Sequence, residues 1–154
     1  MKIILRALMI LGIVPTLTSA NSQSLPPSEV IKGFLANLQS NNWTVDTIIA
    51  KYVIFKPVNN KNISTDERKR ILKDALEYVS AELKNKEINV NDLVIERYND
   101  ADPSLKRMII PPDEALQTYI AIDKKKGYVR YFLIEGKEIK SFTTFKEGKV
   151  FIVL

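Results

Sequence analysis

The chain has 154 residues, a formal net charge of +5, and neither histidine nor cysteine. Those two absences exclude a serine–histidine–acid triad, a cysteine nucleophile paired with imidazole, and an ordinary zinc or copper site. Carboxylate, lysine, tyrosine or serine–lysine chemistry is all that remains open to it.

The first twenty residues read as a cleaved secretory signal peptide. Lys2 and Arg6 form a positive start, residues 7–14 an apolar core ended by Pro15, and Thr18-Ser19-Ala20 a small-residue cleavage site. Arg6 and Pro15 interrupt the apolar run too early for a membrane anchor, and no later segment is long enough to span a bilayer. The expectation is an exported chain, periplasmic or secreted, whose residues 21–154 form one domain. Losing Lys2 and Arg6 takes the basic count from 23 to 21 against 18 acids, so the charge drops to +3. The pI near 9.3 does not imply a nucleic-acid partner, because lysine and arginine are interleaved with acids along the whole chain. Without disulfides an exported domain depends on packing alone, which favours a bacterial origin.

In the mature chain, Val30, Ile31, Phe34, Leu35 and Leu38 share one helical face behind Pro26 and Pro27, with Gly33 a weak point inside the run. After the Ser40-Asn41-Asn42 break, Thr44 reads as the N-cap of a second helix carrying Val45, Ile48, Ile49 and Tyr52. Trp43 and Ile48 have the spacing of a hydrophobic staple; the alternative for Trp43 is an aromatic binding platform. A short strand at residues 53–55 leads into an asparagine-rich loop. Ser64 and Glu67 then have capping-box spacing, and Ile71, Leu72, Ala75, Leu76, Val79 and Leu83 predict a third helix over residues 65–83. Its solvent side carries Asp66–Arg70 and Lys73–Glu77 pairs at i,i+4.

From residue 88 the pattern turns extended. Strands are predicted at 88–98, 118–122, 128–134, 138–145 and 150–153, the last four joined by Gly-bearing hairpin turns. Lys124-Lys125-Lys126 falls in one of these turns and reads as a solvated charge cluster. Asn99-Asp100-Ala101-Asp102 superficially resembles a calcium loop, but Leu105 stands where that loop needs glycine and Pro111 where it needs glutamate. Asp113-Glu114 after Pro111-Pro112 reads as the opening of a helical turn. No catalytic residue, cofactor or metal site is predicted.

The expected fold is therefore α+β, with three N-terminal helices packed on a curved antiparallel meander. A helix, the Asn41-Asn42-Trp43 break, a second helix ending in Ala50-Lys51-Tyr52, a short strand, a third helix and a long meander resemble the cone-shaped nuclear transport factor two-like superfamily. That resemblance implies a cone formed by sheet and helices. It also implies a role among small isomerases, dehydratases and cyclases or among noncatalytic binding modules, which are often dimers. No functional residue of the superfamily maps onto this chain, and the histidine of its dehydratases has no counterpart.

Strand 128–134 is apolar on both sides, so the face opposite the helices is expected to be covered. Either a second copy does so, with Tyr128, Arg130 and Phe132 near a two-fold axis, or a helix or loop of the same chain. The leading functional expectation is a noncatalytic exported module binding a small ligand or a protein in or around the cone. The rivals are a lyase- or isomerase-type enzyme using carboxylate, lysine or tyrosine, and an envelope assembly or interaction protein.

Overall fold

The structure, a computed structural model, describes residues 25–40, 42–57, 63–145 and 150–152. The expected signal peptide, most of the asparagine-rich loop and Val153 of the last predicted strand lie outside the described residues. The architecture is α+β, three helices followed by a four-stranded antiparallel sheet and a small second sheet.

Helix α1 spans Pro27–Gln39 and buries Val30, Ile31, Phe34, Leu35 and Leu38, the face its spacing predicts. Helix α2, Val45–Lys51, starts where the Thr44 hydroxyl accepts a hydrogen bond from the Thr47 amide at 3.2 Å. Trp43 is half-buried against the core beside this start. Gly33 lets the two helices meet, since a Cβ there would stand 3.3 Å from the Tyr52 ring.

Helix α3, Thr65–Asn85, is capped by Ser64, whose hydroxyl accepts from the Glu67 amide at 3.1 Å. The reciprocal half of the capping box is absent: the Glu67 carboxylate turns to Arg70, three residues on, at 2.5 Å. Arg70 thus pairs with Glu67 and not with the expected Asp66, whereas Lys73 and Glu77 pair as predicted at 3.4 Å.

Strands β1 (Val94–Arg97), β2 (Thr118–Asp123), β3 (Tyr128–Glu135) and β4 (Glu138–Ser141) form the main sheet in the order β1-β2-β3-β4. Gly127 and Gly136 take positive φ in the two tight turns, where a β-branched residue would be strained. The strand predicted over 88–98 is only four residues long. Ile88, Val90 and Leu93 are all buried, a spacing that alternation cannot produce, and Asn89 accepts from the Asn91 amide to start a 3-10 turn at Val90–Asp92. The strand predicted at 53–55 reduces to one parallel bridge, Val53 to Ile139. Asp113 and Glu114 open a four-residue helix, α4, Pro112–Ala115.

Helices α1 to α3 cover one face of the sheet, and the interior between them is filled by side chains. Phe34 meets Phe132 and Tyr52 edge-on at 6.1 Å each and Phe142 at 5.1 Å, while Tyr128, Phe132 and Ile139 are fully buried. On the opposite face Ile120, Ile122 and Tyr131 pack under Tyr98, Leu105, Met108, Ile110, Ala115 and Phe151. The chain's own segment between β1 and β2 is thus the cover, pinned by the Tyr98 hydroxyl, which donates to the Met108 carbonyl and accepts from its amide at 3.1 Å.

Tyr128, Arg130 and Phe132 must be relocated accordingly. They project toward the helices and not away from them: Tyr128 and Phe132 sit in the core with α1 and α3, and Arg130 reaches Glu82 on α3. A second copy on the far face would not touch them.

Candidate functional site

The strand predicted at 138–145 breaks in two at Phe142, and this break builds the most distinctive surface feature. Ser141 and Phe142 are consecutive yet both buried, so the period-two alternation slips by one residue. The Phe142 ring enters the core, and the Ser141 hydroxyl donates its one proton to the Ile152 carbonyl at 2.5 Å, with the Thr143 carbonyl sharing it at 3.2 Å. Beyond the slip, Thr143–Phe145 (β5) leaves the main sheet and pairs with Val150–Ile152 (β6).

Strand β4 consequently pairs with β3 only at Leu133, Ile134 and Glu135. Over Tyr128–Phe132, β3 bonds to β2 on one side, while on the other no described strand pairs with it. The result is a fork: β3 and β5 part at Phe142 and enclose a groove of about 440 Å³. Val129, Arg130 and Tyr131 form one wall, Thr143 and Thr144 the other, and Tyr78 and Glu82 of α3 close the helix side.

Arg130 occupies the apex. Its guanidinium donates to the Phe142 carbonyl at 3.3 Å, a group left without a ladder partner by the break, and to Glu82 at 2.5 Å. The side chains of that ion pair are only 13% and 19% exposed, and the exposed Tyr78 ring lies 5.7 Å from the guanidinium. Glu82 also accepts from Lys86 at 3.3 Å, and Lys86 in turn donates to the Gly127 carbonyl at 3.0 Å. Two donors at this corner are buried without a hydrogen-bond partner, Arg130 Nε and the Tyr128 hydroxyl. Burial pushes the Tyr128 hydroxyl up to about 12, against a smaller opposing pull from Arg130. Burial also raises Tyr131, whose hydroxyl donates to the Leu105 carbonyl at 2.8 Å.

The other residues singled out in the sequence have local structural partners. Asp123 accepts from the Lys125 and Lys126 amides at 3.0 and 3.1 Å and so caps the lysine turn, and Lys126 Nζ donates to the Glu87 carbonyl. Beside that turn lies a groove of about 560 Å³ over Val94 and Ile122, rimmed by the three lysines and by Asp92, Glu96 and Asp123. Asp102 accepts from the Ser104 amide at 2.8 Å, and the Ser104 hydroxyl first, then this amide, hold its carboxyl below the usual range. Trp43 borders a groove of about 680 Å³ between the α1–α2 corner and α3. Among the described residues no group of three or more acids is placed to hold a metal ion, and no helix is long and apolar enough to cross a membrane.

The chemistry available at the fork is recognition. Backbone donors and acceptors stand along one wall, and an ion-paired arginine stands at the apex. The sequence pointed to Arg130 but not to the fork; the one local signal for it is that Ile139, Phe142 and Phe145 recur every third residue, where a strand with one buried face needs every second. Comparison with protein-family models, with curated proteins and with solved structures gave no match.

Proposed function

We propose that this chain is an exported, noncatalytic binding module whose partner is a protein, engaged at the fork between β3 and β5 by strand pairing. The observation that carries this reading is the five-residue stretch of β3, Tyr128–Phe132, whose outer edge has no described partner although it lies beside a second, splayed strand. An open edge is a template for an added strand: the main chain supplies affinity, and side chains alternating across the sheet supply selectivity. The filled interior supports a surface partner over a ligand held inside the cone. Export is supported by the signal-like first twenty residues, and the topological resemblance to a superfamily rich in binding modules points the same way.

A photo-reactive residue placed at Val129, in the fork, and separately at Val94, on the opposite edge strand, tests this in the native host. The reading predicts a discrete cross-linked partner from position 129 and none from 94. Identical patterns from both positions, or a partner seen only from 94, would contradict it.

A further inference from the structure

The charges around the fork say what kind of segment fits it. Among the described residues Arg130 and Lys86 both pair with Glu82 and with no other carboxylate, so two cations share one acid and the corner carries a net positive charge. Tyr78 and Glu82 extend this corner from the fork to the neighbouring surface of Lys86 and Asn85. The walls also bound the occupant, with α3 on one side and Thr143 and Thr144 on the other.

From this we infer that the fork selects an extended peptide with an acidic residue between two apolar ones. The inference rests on the strand-pairing reading and adds the chemistry of the partner. A strand laid along β3 places side chains alternately on the two faces, and directly opposed residues on one face interact. The residue opposite Arg130 points to the helix side, where Arg130 and Lys86 have one carboxylate between them; Asp or Glu supplies the second. Its two neighbours point to the far side, against Val129, which is 38% exposed, and against the Tyr131 ring. Those positions favour β-branched or aromatic residues, which pair well across strands with valine and tyrosine.

The test is selection of a displayed library of random nine-residue peptides on the purified protein, followed by amide hydrogen exchange with and without the best peptide. The expected outcome is an apolar–acidic–apolar core and new protection at Val129, at Tyr131 and at residues 143–144. Replacing the central Glu of that peptide by Gln is expected to weaken binding about two- to fivefold. On Lys86→Gln protein, a change at a partly exposed side chain outside the core, the Glu-to-Gln difference is expected to shrink. Peptides that protect the fork without any acidic preference would overturn the inference and leave strand pairing standing. No enrichment, or protection elsewhere on the protein, would overturn both.

Discussion

Tyr128 shows how a single buried group ties stability to pH. Its hydroxyl is enclosed without a partner, so the folded state favours the neutral phenol and the pKa rises from 10 to about 12. Because the folded value lies above the unfolded one, this contribution is fully present below pH 10. It is lost as pH climbs through 12, by about 2–3 kcal/mol. Tyr128→Phe removes the hydroxyl and its desolvation cost. The variant is expected to be as stable as the parent or more so at pH 7, and to lose less stability between pH 10 and 12, as read from urea denaturation at each pH. An equal alkaline loss in both proteins would show that Tyr128 is not the group responsible. Arg130 is the opposite case, because its partner cannot be left alone. Arg130→Met strands the Glu82 carboxylate in a mostly buried site, though Lys86 stays beside it. The expected cost is about 3 kcal/mol, the low end of what breaking a buried pair costs, measured by the same denaturation.

Among the elements, helices were the more legible because caps and periodicity are local. Ser64 marks the start of α3 with an actual hydrogen bond, so Ser64→Ala is expected to cost about 1 kcal/mol, read as a lower urea midpoint with unchanged slope. The second strand of each hairpin was legible for the same reason, through Gly127 and Gly136. What the residues did not disclose depends on distant partners. Whether Arg70 chooses Asp66 or Glu67 is a matter of rotamers, and whether residues 88–93 alternate or coil depends on three side chains all finding the same core. The break at Phe142 is of this kind. Its ring has a place only because Phe34 stands 5.1 Å away on α1, so a strand-like pattern yields to a tertiary contact. Phe142→Ala is expected to cost about 3–5 kcal/mol and Phe142→Leu much less, which thermal unfolding of the two variants compares directly.

At the scale of the molecule, the order of helices and strands was readable, and so was the need to cover both sheet faces. Which residues looked which way was not. Tyr128 and Phe132 alternate identically whether the helices lie above or below the sheet, and only the docking of Phe34 settles it. With one face packed under the helices and the other under residues 98–115, what the sheet still offers to a partner is edge. Strand β3 is where that edge faces a second, splayed strand across a groove. The most direct measurement is residue-resolved amide exchange on the free protein. The account predicts that those amides of Tyr128–Phe132 not bonded to β2 exchange orders of magnitude faster than the amides of Ile120 and Ile122 at the centre of the sheet. Protection of every β3 amide at the level of the sheet centre would mean that the fork is closed, and would contradict it.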